Sequence, residues 1–255
     1  AYNRPELLRQ RWQELRQYCL TNPFVFAAVD GPDERCRQVI VEEGIPAIIS
    51  SHRGIAHNKN VILDVLQSYD FGFIAEDDVA FVKRGWDLAY VLLWQATGVN
   101  HFNYQSRKSH RKIEMVNKPA VTDRRLPGEI HLAASRQKPN GLLMAMSRKA
   151  IERVGGFCNA FNPWGYEHVD WTQRARFAGF MLDEEYQSVG MLEDETFIHR
   201  LRSKSSCGNQ VRRNVRHDLL KRNLFQQRKK DRLIYEPIKY DPPLEIYGAW
   251  PEGVS

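Results

Sequence analysis

Short apolar runs that end in acidic turns, separated by stretches of helical periodicity, constrain this chain more than any other feature. Residues 23–29 read Pro-Phe-Val-Phe-Ala-Ala-Val and empty into Asp30, Gly31, Pro32 and Asp33. Residues 71–75 read Phe-Gly-Phe-Ile-Ala and stop at Glu76, Asp77 and Asp78. A continuous apolar run of this length suits a strand buried on both faces, and the Asp, Gly and Pro after the first suit a turn. Between the two runs, residues 35–43 and 58–68 carry helical patterns, and residues 47–50 are a short strand candidate. This is β-α-β alternation, so an α/β fold with a mostly parallel central sheet flanked by helices is expected. Ligands of such sheets gather at the carboxyl ends of the strands, where both acidic turns would fall.

The chain opens on a helix start, with Asn3 as a candidate cap, Pro5 in the first turn and Glu6 near the positive end of the dipole. Leu8, Trp12, Leu15 and Cys19 then recur on one helical face. From residue 98 to 139 no period persists, which leaves a long excursion or a few short strands. Residues 141–146 read as a strand, 148–154 as a short helix stopped by Gly155 and Gly156, and 166–178 as the clearest later helix. Residues 205–255 form a basic extension with Pro237, Pro242, Pro243 and Pro251, expected to lie as an extended tail over the rest. At 255 residues, a single domain spanning 1–255 is the expectation.

Hydrophobic residues at 42% and charged residues at 27% describe a packed globular chain, not a disordered one. No apolar run approaches the roughly 20 residues that a membrane-spanning helix needs. Cys19, Cys36, Cys158 and Cys207 are widely spaced, with no CxxC pair and no secretory signal before them. Reduced thiols and a cytoplasmic location are therefore expected. The net charge of +6 is local: twelve Lys and Arg stand against two Asp in residues 200–232, so +10 there combines with −4 elsewhere. Such a segment suits an acidic partner, whether a sugar diphosphate, an anionic membrane met peripherally, or a nucleic acid.

Three consecutive carboxylates after an apolar strand repel one another and need either full solvation or a cation. Hard oxygen ligands suit Mg²⁺ or Mn²⁺, which would also bridge the oxygens of a diphosphate. Read alone, the triplet is equally a solvated turn. A second block runs from Val154, Gly155, Gly156 and Phe157 through Phe161 to Trp164, Gly165, Tyr166, Glu167, His168 and Asp170, with Arg174 beyond. If Glu167 starts a helix, Asp170, Trp171 and Arg174 share one face with it.

Together these residues resemble the GT-A glycosyltransferases, a Rossmann-like α/β nucleotide-sugar transferase fold. The Glu76-Asp77-Asp78 turn is similar to their acidic DxD motif, and the second block resembles the GGF…WGxE acceptor-side motif of the galactosyltransferase, N-acetylgalactosaminyltransferase and chondroitin-polymerase type. The resemblance spans about residues 1–205. It implies a UDP-linked sugar donor, a carbohydrate or other hydroxyl acceptor, and a Mn²⁺ or Mg²⁺ ion. It implies Asp78 as the direct metal ligand, with Glu76 and Asp77 on the metal or the ribose, and His199 as a further metal ligand. Arg202 would meet the diphosphate. Asp30 would read the nucleobase, Lys59 and Asn60 match a phosphate-side G-x-x-x-x-R/K-N segment, and Trp164, Gly165 and Tyr166 would face the acceptor. Family members also carry a nucleotide-binding strand just before the segment that opens this sequence.

One departure bears on mechanism. Inverting relatives place an aspartate base immediately after the motif's glutamate, and here that residue is His168. Histidine has a suitable unperturbed pKa for the task, so Glu167, His168 and Asp170 all stand as candidate bases, with retaining and inverting outcomes both open. Two other activities fit parts of the sequence. A nucleotidyltransferase would also use carboxylates and a metal around a nucleotide, and a nucleic-acid-binding module would use the basic residues 200–232.

Overall fold

The structure, a computed structural model, describes residues 3–106, 113–163, 165–201 and 215–251. Helix α1 (Pro5–Tyr18) leads into β1 (Ala27–Asp30), α2 (Glu34–Glu43), β2 (Ala47–Ser50), α3 (Ile55–Leu66) and β3 (Phe71–Ala75). After the acidic turn come β4 (Val79–Phe81), α4 (Trp86–Thr97), β5 (His101–Asn103), β6 (Glu114–Met115), β7 (Leu132–Ser135) and β8 (Leu143–Ser147). The chain continues through α5 (Arg148–Val154), α6 (Glu167–Phe177), β9 (Ser188–Met191), α7 (Asp194–Phe197), β10 (Ile198–Arg200), α8 (Val215–Lys230) and β11 (Glu245–Tyr247). Local chemistry explains several boundaries. Asp33 caps α2 by accepting from the Arg35 and Cys36 amides, and Ser147 caps α5 by accepting from Ala150. The cap expected at Asn3 is not formed: Arg4 is the N-cap of α1, and the Asn3 side chain accepts from Arg35 instead.

The fold is α/β, but its strands are not mostly parallel. Among the described ladders only β1 and β2 run parallel. β11 joins β2 antiparallel, β8 lies between β3 and β5, β7 lies between β6 and β9, and β4 pairs with β10, all antiparallel. Burial on both faces is what makes β3 apolar, whichever way its neighbour runs. Ile74, Met144 and Met146 pack toward α3, α5 and α6, while Phe71, Phe73, Leu143 and Ala145 pack against α4 and its neighbours. A third cluster joins α1 and α2 to β1 and β2.

Past α8 the chain does run extended. Glu236 exchanges backbone hydrogen bonds with Val154 and Gly156, β11 lines the edge of β2, and Trp250 packs on Phe24 and Phe26. Residues 215–230, by contrast, are helical. No helix among the described residues is long and apolar enough to cross a membrane. Cys19, Cys36 and Cys158 are free thiols.

Candidate active site

The acidic turn is clamped from two sides. β3 hands its ladder on through the Glu76 amide, which donates to Leu142 O at 2.9 Å, and the chain turns into β4 after the three acidic residues. From outside, α1 grips it: Arg4 pairs with Asp77 at 2.6 Å, Arg11 donates to Val79 O, and Glu14 accepts from the Phe81 amide at 2.8 Å. From inside, Lys59 on α3 reaches Glu76 at 3.0 Å. Among the described residues, the Asp78 side chain has neither kind of partner. Its Oδ1 is buried and unpartnered, and burial together with the Glu76 and Asp77 carboxylates pushes its pKa up to about 6.

The second block arrives at the same place through α3. Gly54 holds φ at +97°, and a Cβ there would lie 2.7 Å from Pro163 Cα, so this close approach requires glycine. The Ile55 amide donates to Pro163 O and the Ala56 amide to Asn162 Oδ1, which satisfies free donors at the start of α3. Asn60 is fully buried. Its side chain accepts from the Phe157 amide and donates to Phe157 O and Lys239 O, so it braces the glycine turn. Lys59, 3% exposed, is also enclosed: its ammonium lies 3.0 Å from Glu76 and 3.2 Å from Glu167.

Glu167, 2% exposed, accepts from Lys59 and His168 Nδ1 on Oε1 and from the Gly165 amide on Oε2. Burial pushes this carboxyl up, but Lys59 and His168 outweigh it and hold the group well below the usual range. Ionised, Glu167 is an acceptor only, so His168 Nδ1 carries the proton between them. Asp170, three residues further along α6, does not join this contact and is tied instead to Arg174 at 2.9 Å and Arg228 at 2.7 Å. Arg174 in turn donates to Val154 O and Gly156 O. Asp170 thus holds the glycine turn, α6 and α8 together.

Glu76, Asp78, His168 and Arg200 line one open cleft of about 320 Å³ together with residues 138–142. The fit is tight at Gly141, where a Cβ would lie 2.8 Å from the His168 ring. The sequence singles out Arg200 only among the basic residues around and after His199, and it gives Lys138 and Gly141 no site role. Arg200 was legible as the cation that follows His199 at the end of β10, whereas Lys138 lies in the stretch without periodicity. Tyr166 takes a left-handed φ of 69° before α6 and packs on Phe161 and Phe225, with Lys138 Nζ 4.9 Å from its ring centroid.

His199 does not line the cleft. Successive strand residues face opposite sides, so Arg200 turns to the cleft while His199 is exposed and donates from Nε2 to Glu195 O at 3.1 Å. Among the described residues no three His, Cys, Asp or Glu side chains gather into a metal-holding set. Asp30 ends β1, where its carboxylate accepts from the Arg53 and Gly54 amides, and it does not line this cleft. Trp164 and Arg202 lie outside the described residues.

No curated protein matches the chain. Residues 129–189, which run from just before β7 into β9 and include Glu167, His168 and Asp170, match the family model described as the N-terminal domain of galactosyltransferase, and this similarity supports a glycosyltransferase.

Proposed function

We propose that this chain is a metal-dependent glycosyltransferase of the GT-A type, moving a sugar from a nucleoside-diphosphate sugar, UDP-linked, to a hydroxyl of a carbohydrate or other acceptor. The observation that carries the reading is the meeting of Glu76, Asp78, Arg200 and His168 in one cleft, although they come from distant parts of the chain. A cation ligand suits the buried, unpartnered Oδ1 of Asp78. Asp78 with Glu76 would hold Mn²⁺ or Mg²⁺, ions commonly bound by one or two carboxylates together with substrate phosphates. When bound, the ion would neutralise charge on the departing diphosphate.

Arg200 supplies a permanent positive charge to the same part of the cleft. His168 lines the cleft with Nδ1 committed to Glu167, which leaves Nε2 to accept a proton. Asp170 and Glu167 are less suited to that task because their oxygens are engaged by Arg174 and Arg228, and by Lys59, Gly165 and His168. In the transfer, the acceptor O–H gives its proton to His168, its oxygen bonds to the anomeric carbon, and the bond from that carbon to the diphosphate breaks with its electron pair leaving on the nucleotide. Asp78→Ala should abolish metal-dependent turnover of the sugar nucleotide while leaving the circular dichroism spectrum unchanged. A fully active variant would overturn the reading, and release of pyrophosphate in place of nucleoside diphosphate would identify a nucleotidyltransferase.

A further inference from the structure

Lys59 joins the acidic turn to the start of α6. Its ammonium is 3% exposed, lies 3.0 Å from Glu76 Oε1 and 3.2 Å from Glu167 Oε1, and sits 5.7 Å from the centroid of the Phe157 ring. A cation this deeply enclosed is held by partners inside the protein, because desolvation without them is costly. Glu167 passes the constraint on. The same Oε1 that meets Lys59 meets His168 Nδ1 at 3.0 Å, and Oε2 is fixed by the Gly165 amide at 2.9 Å. A carboxylate held by three donors has a set orientation, and the imidazole bonded to it takes one tautomer.

We propose that Lys59 is a positioning residue, not a phosphate ligand: it fixes Glu167 so that His168 carries its proton on Nδ1 and presents a bare Nε2 to the acceptor hydroxyl, and it ties that arrangement to the acidic turn through Glu76. The inference rests on the transferase reading above for its catalytic meaning, but the tautomer does not depend on it. The chain of contacts runs from the turn at the end of β3, through α3, to α6. The side expected to hold the donor and the side expected to face the acceptor are thereby set at a fixed spacing by one buried cation.

The test joins spectroscopy to kinetics on the full chain. Imidazole ¹⁵N shifts should show His168 with a protonated Nδ1 in the unaltered protein and a mixture of tautomers in Lys59→Met. An Nε2–H tautomer in the unaltered protein, or an unchanged spectrum in Lys59→Met, overturns the proposal, whatever reaction the protein catalyses. In sugar transfer, Lys59→Met should lower kcat by about 10²-fold, the low end of what a positioned base contributes, while the donor KM moves less than about threefold. A raised donor KM with kcat preserved would make Lys59 a donor ligand and overturn the proposal. Should Lys59→Met not fold, Glu167→Gln removes the charge but keeps an acceptor for Nδ1, and it should lower kcat with donor KM preserved. Equal kcat in Glu167→Gln and the unaltered chain contradicts the proposal. Failure of every sugar nucleotide to turn over would count against the transferase reading alone, since the ¹⁵N result decides the role of Lys59 independently.

Discussion

Asp78 is a half-buried carboxyl whose Oδ1 has no hydrogen-bond partner among the described residues, and its substitution separates function from stability. With its pKa pushed up to about 6 by burial and by Glu76 and Asp77, Asp78 binds its proton more tightly folded than unfolded. Its ionisation therefore opposes folding, an effect that enters as pH rises above the ordinary 3.8 and is complete above about 6. Asp78→Asn should accordingly melt at an equal or higher temperature at pH 7 while losing metal-dependent turnover, and a lower melting temperature would show that Asp78 has a structural partner. In the unaltered protein, activity at limiting Mn²⁺ should fall as pH drops through about 6, because the protonated acid no longer binds a cation. Gly141 tests the other wall of the cleft. An alanine Cβ would lie 2.8 Å from the His168 ring, so Gly141→Ala should displace the imidazole and cost about 10²-fold in kcat with the secondary structure retained. Unchanged kcat would remove His168 from the reaction.

Among the elements, α6 carries the site and α8 holds α6. Arg228 on α8 and Arg174 on α6 share Asp170, and Arg174 is 1% exposed. Asp170→Ala would leave that guanidinium buried beside Arg228 without its carboxylate, a loss of about 3–5 kcal/mol. Arg228→Ala, which leaves Arg174 to neutralise Asp170, should cost less, and urea denaturation of the two variants checks the order. If Asp170→Ala were as stable as the unaltered chain, Asp170 would be freed for chemistry again. Much of this layout was legible in the sequence. β3 and α5 occur where the apolar run and the glycine stop indicated, and α6 begins within a residue of its expected start. Strand direction was not legible, because β3 is apolar through burial on both faces and its neighbour β8 follows 67 residues later. The roles of Lys59 and Asp170 were equally hidden. A charged residue in a helix reads as solvated until the fold brings a partner from 108 or 58 positions away.

For the whole molecule, the site is an assembly of sequence-distant parts, so its integrity and the stability of the fold are linked. Glu167 is held well below its usual pKa, against burial, by Lys59 and His168. A depressed carboxylate contributes its full stabilisation above its unfolded value near 4.5 and loses it as pH falls toward the folded value. Acid unfolding monitored below pH 4.5 should therefore be shifted to higher pH in Lys59→Met, and coincident curves would deny that the pair stabilises the fold. In the proposed function, the cleft between the acidic turn and α6 transfers sugar from a nucleotide with the help of a divalent ion. Nucleotide release from a panel of sugar nucleotides, with and without Mn²⁺, on the unaltered chain and on Asp78→Asn tests it most directly. The expected result is Mn²⁺-dependent release of nucleoside diphosphate from one donor class, lost in Asp78→Asn. Release that ignores both the metal and the substitution would contradict it.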